Sequence, residues 1–367
     1  MRASAVLLLA AASILAQNPP ANALLRRALE AHQRGDLAGA IRDYRQVLEA
    51  NPGLTQVRLN LGAALGDLGR LDEAITVFEA APAADRGNPD LLRSLALAYY
   101  RKDDFAAALR VLEKLNAADP RTVAMLADCY LRTGAPAKAI VLIESATRAH
   151  PDDPGLTYQL GAALIRAGRA PESLEPLERA GRTTNNSEAL LLAGATALGL
   201  GQFQRARDDL EAAIRINPNV PGAWTFTGLA RDRVSDEEGA KEAFRKALEA
   251  NPRDFEANLH LGAILYRERE LAAAKPYLER AREIQPSSNL ALYALALVRA
   301  GTGEIERAVA ELEAVVRAAP AWLEPHVKLA SLYFRLRRQQ DGKREQETIE
   351  KLKSEHRDEK VPLPELE

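Results

Sequence analysis

The sequence predicts an all-α protein, a right-handed α-solenoid of about ten stacked helix–turn–helix repeats. Three observations carry this expectation. Alanine and leucine dominate while aromatic residues make up only 5%, which favours helix over sheet. A small residue recurs at a step of about 34 along nearly all 367 residues. A second small residue follows each of the first after twelve positions, in ten copies out of ten. The hydrophobic fraction of 47% supplies core material, and 27% charged residues argue against a disordered chain. The 49 basic and 51 acidic residues leave a net charge of −2, which speaks against a nucleic-acid partner. A single cysteine, Cys129, excludes an internal disulfide and a Cys-based zinc site.

The chain opens with Met1-Arg2 and an apolar run over residues 3–16. That run is too short to span a bilayer as a helix and has the length of a signal-peptide apolar region. Residues 1–16 are therefore expected to be a signal peptide cleaved after Ala16, alternatively after Ala23, where Ala21-Asn22-Ala23 offers an Ala-x-Ala pattern. Cleavage after Ala23 would clip the first helix. No later stretch reaches the roughly 20 apolar residues of a membrane span, so none is expected in the mature chain. The implied location is periplasmic or secreted.

Residues 21–353 form the array. Its first helices carry Ala28, Gly62, Ala96, Ala127, Gly161, Gly194, Gly228, Gly262, Ala296 and Ala330. Twelve residues on come Ala40, Ala74, Ala108, Ala139, Ser173, Ala206, Ala240, Ala274, Ala308 and Gly342. Two antiparallel helices approach closely only where a side chain is small, so these pairs mark ten crossings. A bulky residue four positions later, from Tyr44 and Phe78 to Phe244 and Leu312, fills the space beside each crossing. The tenth copy has Gln346 there and turns polar, as a terminal cap facing water should. Gly35, Gly69, Gly134, Gly168 and Gly201 suit the left-handed end of a first helix. Proline closes most units, at Pro52, Pro120, Pro151, Pro218, Pro252, Pro286 and Pro320. The step from Ala96 to Ala127 is 31, which implies a loop shortened around Pro120. Residues 354–367 are charged, contain Pro362 and Pro364, and read as a loose tail.

This pattern resembles the tetratricopeptide repeat family over about residues 21–353. The seventh copy comes close to the family signature, with Trp224, Thr227-Gly228, Ala240, Phe244, Ala247 and Pro252. The resemblance implies that first helices line an inner groove in which ligands bind. It also implies a test of the family's carboxylate-clamp pocket. Asn60 matches one of its positions, but Leu25 and Leu29 occupy the partner positions, so the clamp is absent.

No catalytic constellation is legible. The histidines His32, His150, His260, His326 and His356 are scattered, with no His-x-x-x-His pair. Gly301-Thr302-Gly303 lacks the third glycine of a phosphate loop and follows a helix, so it reads as a turn between helices. Cys129 reads as a small buried filler. No cofactor is expected.

The groove face of each first helix contains the residues three before, one after and four after the small site, flanked by those two before and five after. The candidate binding residues on it are Asn60, Tyr158, Phe226, His260, Tyr266 and Tyr293, with the arginines five after the small site, Arg101, Arg132, Arg166, Arg233 and Arg267. Arg335 extends the row. A planar guanidinium recognises carboxylates and carbonyls, so an acidic extended peptide is one ligand for such a row. The other reading is a cation suited to the helix C-terminus. The leading functional expectation is a non-enzymatic protein-interaction scaffold of the bacterial envelope. The alternatives are an accessory subunit of an envelope glycosyltransferase or polysaccharide-export machinery, and a cytoplasmic regulator.

Overall fold

The computed structural model describes residues 19–115, 119–151 and 153–355, and the expected signal peptide and most of the tail lie outside them. Among the described residues there are helices and turns and no strand. Contacts divide the chain into a first unit ending at Arg179 and a second starting at Ala180.

The first unit holds α1 (Pro19–Gln33), α2 (Leu37–Ala50), α3 (Thr55–Asp67), α4 (Leu71–Glu79), α5 (Pro89–Arg101), α6 (Phe105–Leu112), α7 (Pro120–Arg132), α8 (Pro136–Ala149) and α9 (Pro154–Arg166). Helix α10 (Ala170–Thr184) contains the boundary. The second unit continues with α11 (Ser187–Gly199), α12 (Phe203–Ile216), α13 (Ala223–Arg233), α14 (Glu237–Ala250), α15 (Phe255–Arg267), α16 (Leu271–Ile284), α17 (Asn289–Gly301), α18 (Ile305–Ala318), α19 (Leu323–Arg335) and α20 (Gln339–Glu355). Odd-numbered helices are the first helices of ten hairpins, and even-numbered ones are the second.

Each hairpin closes on its pair of small residues. All ten first-site and all ten second-site residues are buried. The bulky residue of the second helix lies directly on the first-helix site. At Gly228 an added Cβ would meet the Phe244 ring at 2.5 Å, and at Gly262 it would meet Leu278 Cγ at 2.6 Å. In the tenth hairpin Gln346 is exposed, and Phe334 of α19 covers Gly342 instead. The outer side of α20 is polar, in keeping with a cap, while Ile349 and Leu352 are buried.

The residue that ends each first helix is left-handed in all ten hairpins. Six are glycines, including Gly303, but Asp103, Ser235, Arg269 and Arg337 take the same conformation at φ 61–66°. Glycine alone is therefore an incomplete marker of this turn.

The 31-residue step has a different origin from the one expected. The residues are given up by the second helix of the third hairpin, not by a loop around Pro120. Helix α6 has 8 residues where α2 and α8 have 14. Pro120 itself is the first residue of α7, capped by the Asp119 carboxylate, which accepts from the Arg121 and Thr122 amides. Helix α4 is also short, with 9 residues.

A second recurring contact was not foreseen. Four residues before the small site, a side-chain donor reaches the carbonyl of the proline six residues back. Arg58 Nη2 donates to Pro52 O at 2.8 Å, and Trp224 Nε1 donates to Pro218 O at 3.0 Å. Asn258 Nδ2 donates to Pro252 O at 3.2 Å, and His326 Nε2 pairs with Pro320 O at 3.0 Å. These bonds tie four interrepeat turns to the following first helix and give the turn proline's carbonyl a partner.

Candidate functional site

First helices form one layer in each unit. In the first, α3 packs on α5 and α7 on α9; in the second, α11 packs on α13 and α15 on α17. The stripe defined from the sequence runs across this layer.

In the first unit the stripe stays open. Leu97 of α5 is 44% exposed, Arg93 and Arg101 are exposed, and Asn60 and Tyr158 are half-buried. Asn60 Oδ1 accepts from Gln56 Nε2 at 3.3 Å. The Arg101 guanidinium lies beside Gly66, where a Cβ would meet its Nη1 at 3.3 Å. Among the described residues Arg101 has no carboxylate partner.

Three first helices meet at Asp128. Its carboxylate accepts from Tyr100 Oη at 2.6 Å, Arg132 Nε at 2.7 Å and Arg166 Nη1 at 2.7 Å, one donor from each of α5, α7 and α9. The Arg132 guanidinium also lies 4.6 Å from the Phe105 ring centroid and 5.9 Å from that of Tyr100. Partial burial would raise the Asp128 carboxyl. The three hydrogen bonds outweigh it and hold the group below the usual carboxylate range. The cluster thus has two guanidiniums on one carboxylate, an excess of one positive charge. Asp128 sits one position after Ala127, on the stripe itself, so the stripe rule could have named it.

In the second unit the same stripe is closed on α15 and α17, while Val327 of α19 is 43% exposed, and several expected groove residues must be reassigned. Tyr293 is 4% exposed, its ring 4.8 Å from that of Trp322, so it is a core residue and not a groove contact. All eight residues from Ala291 to Val298 are buried, and Leu259 of α15 is buried too. A helix apolar all round has no face left for a ligand. Tyr266 is half-buried and packs against two core clusters. His260 stacks on Phe244 with ring centroids 5.9 Å apart, and its Nε2 is 3.4 Å from Glu256. Phe226 is half-buried against Gly222, where a Cβ would meet its Cε2 at 3.5 Å.

The arginine row is also not uniform. Arg267 Nη2 is bound by Asp232 at 2.7 Å and by Glu237 at 3.2 Å. Two carboxylates on one guanidinium leave that site negative, so it is no part of a basic groove. The Arg233 guanidinium lies 5.9 Å from the Phe203 ring centroid. Of the expected residues, Arg132 and Arg166 share a carboxylate, and Asn60, Arg101 and Tyr158 line the same open layer of the first unit.

Cys129, next to Asp128, is fully buried, and burial pushes its thiol up to about 11. It is a neutral core filler at neutral pH. Among the described residues no group of three or more His, Cys, Asp or Glu is placed to hold a metal ion, and no helix is long and apolar enough to cross a membrane.

Tetratricopeptide repeat family models match residues 31–98, 68–127 and 99–154, residues 187–220, and residues 228–289 and 269–322. Anaphase-promoting complex subunit 3 of Schizosaccharomyces pombe is 22% identical over 73% of this chain and 41% of its own length. The Vi polysaccharide export protein VexE of Salmonella typhi is 32% identical over 37% of this chain and 23% of its own length. The chain thus spans less than half the length of these relatives. The C-terminal part of a TPR repeat-containing protein from Cytophaga hutchinsonii shares the fold, with a TM-score of 0.55 at 18% identity over 65% of this chain and 99% of that one. With the repeat matched through both units and the hairpins closed on their small residues, this chain belongs to the tetratricopeptide repeat family.

Proposed function

We propose that this protein is a non-enzymatic scaffold that holds an acidic, extended segment of a partner protein against the first-helix layer of its first unit. One observation carries the reading. Arg132 and Arg166 share the single carboxylate of Asp128, and Arg101 on the neighbouring helix has no carboxylate partner among the described residues. An incoming carboxylate completes this arrangement by pairing with a guanidinium fork already held in place. The half-exposed rings of Tyr100 and Tyr158 and the exposed Leu97 supply apolar contact beside the charges. The layer is composed of helices, which keep such side chains at fixed spacing.

The site of action is the bacterial cell envelope. Support comes from the charge-then-apolar layout of residues 1–16. Between the two cleavage points, Ala21 decides, because it is buried in the core of the first unit. Cleavage after Ala16 leaves that core residue in place, whereas cleavage after Ala23 removes it together with the start of α1. A second reading, an accessory subunit of polysaccharide-export machinery, is favoured by the similarity to a protein named for Vi polysaccharide export. A cytoplasmic regulator remains the third.

Site-specific photo-crosslinking in the native host tests the main reading. A crosslinker at Asn60 or Tyr158 is expected to trap the partner, and one at Val141, exposed on a second helix, is not. Equal trapping from all three positions overturns the assignment of the binding face. N-terminal sequencing of the native protein tests export. A start at Gln17 is expected, and an intact Met1 in a cytoplasmic fraction overturns it.

A further inference from the structure

The last hairpin is held by a histidine that stands between two acceptors. His326 lies in the first turn of α19 and is 5% exposed. Its Nε2 is 3.0 Å from the Pro320 carbonyl oxygen, in the turn between α18 and α19, and its Nδ1 is 2.6 Å from Glu345 Oε2 of α20. A carbonyl oxygen accepts and never donates, so Nε2 carries a hydrogen. An ionised carboxylate also only accepts, so either Nδ1 carries a second hydrogen or Glu345 brings one. In both forms the pair holds one proton more than a neutral imidazole beside a free carboxylate.

The three counterparts of His326 need no such proton. Arg58, Trp224 and Asn258 close the same turn in other hairpins with N–H groups that keep their hydrogen near neutral pH. Of the four side chains, imidazole is the one that titrates in that range. The other charges on the surrounding elements are engaged elsewhere. On α18, Glu313 accepts from Tyr333 Oη at 2.7 Å. In the turn before α20, Arg338 lies over the Tyr333 ring, 3.6 Å from Glu313 and 2.8 Å from Asp341. On α20, Arg344 pairs with Asp341 at 3.4 Å. On α19 itself, Glu324 is half-buried and Lys328 is exposed. Among the described residues Glu345 is the one carboxylate within ion-pairing distance of the His326 ring.

We propose that His326 and Glu345 form a pH-sensitive clasp, which locks α20 onto the array while the pair keeps its shared proton and loosens it when that proton leaves. Without the proton, the Nδ1 lone pair and a carboxylate oxygen face each other, and both only accept. The Glu345 side chain is 18% exposed and can turn to water, whereas His326 stays bound to the Pro320 carbonyl. The link between α19 and α20 is then lost. Helix α20 feels this most because it packs chiefly against α19. Its loosening lifts Gly342 off the Phe334 ring and opens an apolar end to the array. The sign is fixed by the proton count: the clasp is closed on the acid side and opens as pH rises through the titration of the pair. At pH low enough to protonate Glu345 beside an imidazolium, the attraction weakens again.

Hydrogen exchange of the full chain, corrected for the intrinsic pH dependence of amide exchange, tests the clasp between pH 5.5 and 9. Protection of α20 is expected to fall about tenfold over that range, as the loss of one charge-assisted hydrogen bond implies, while α17 and α18 change little. Three variants separate the donor from the charge. His326→Arg keeps both, as Arg58 does at its own turn, and α20 should stay protected throughout. His326→Asn keeps the turn bond, as Asn258 does, but not the cation, so α20 should be as loose at pH 5.5 as the wild type is at pH 9. Glu345→Gln supplies an amide donor to neutral Nδ1, which should flatten the profile. Constant protection of wild-type α20 across the range overturns the proposal, as does a fall of the wild-type size in His326→Asn or Glu345→Gln. Histidine-selective 15N labelling reads the wild type without substitution: the His326 ring shifts should move in step with the loosening of α20. Ring shifts that stay constant while α20 loosens place the pH effect elsewhere and overturn the clasp.

Discussion

Leu210 of α12 sits on the backbone of Gly194 in α11, so that a Cβ at Gly194 would stand 2.6 Å from Leu210 Cγ and 3.1 Å from the Ala206 carbonyl oxygen. Leu210 and Ala206 are both fully buried. Neither neighbour can yield: one is a core side chain and the other is backbone. Gly194→Ala is therefore expected to lower stability by about 1–3 kcal/mol, the usual range for an overfilled core, and Ala206→Leu to do the same. Hydrogen exchange should quicken first in α11 and α12, because neighbouring repeats are the only support of a solenoid hairpin. Exchange that quickens uniformly along the chain would contradict this.

Arg269 holds φ 66° at the end of α15, a conformation that costs a non-glycine residue about 1 kcal/mol or more. The side chain is exposed. Arg269→Gly removes that strain at some cost in chain entropy, and a gain of up to about 1 kcal/mol is expected. Gly201→Ala, at φ 73°, should lose a comparable amount. Thermal melts of the two variants check the pair, and the signs must be opposite.

Both sites show what could be read from the chain before its structure. The twelve-residue spacing of small residues was legible because backbone contact admits no substitute for a missing side chain, and Gly194 with Ala206 obeys it. Left-handed turns were legible only where they carry glycine. Arg269 and Ser235 pass unmarked, since the hairpin around them over-determines their conformation. Side-chain pairing was the least legible layer. Arg166 and Asp128 lie 38 residues apart, and nothing local at either end announces the pair. For the same reason Tyr293, placed in the groove by helical position, turned out to be core: its burial depends on Trp322 of the next repeat.

Cys129 is buried next to Asp128, and its thiol is pushed up to about 11. A folded-state value above the unfolded one means that the folded protein keeps its proton longer. Its contribution to stability is therefore complete below the unfolded thiol's pKa near 8.5 and falls as pH rises through about 11. Cys129→Ala should flatten the loss of stability over that alkaline window. A disulfide thiol reagent at pH 8 should react fully only after denaturant is added. Rapid labelling of the native protein would contradict a buried neutral thiol.

Asp128 has the opposite linkage. Its carboxyl is held below its ordinary value by Tyr100, Arg132 and Arg166, so its stabilisation is present above the ordinary carboxylate range and lost as pH falls through the folded value. Asp128→Asn should remove that acid dependence and destabilise the first unit modestly at neutral pH. It should also free two guanidiniums, and binding of an acidic segment is expected to tighten severalfold. Weaker binding by Asp128→Asn would mean that the carboxylate itself contacts the partner.

Salt dependence of partner binding bears most directly on the acidic-segment reading. The segment trapped at Tyr158 is titrated against wild-type protein and against R101A/R132A/R166A at low and high ionic strength. The Arg132 and Arg166 side chains are 42% and 52% exposed, so their removal should cost the first unit no more than the modest amount expected for Asp128→Asn, and binding is compared well below both melting temperatures. Wild-type binding should weaken with salt, while the triple variant binds more weakly at low salt and shows a flatter salt slope. Equal binding by both proteins at both ionic strengths would contradict a cationic first-helix layer as the partner's site.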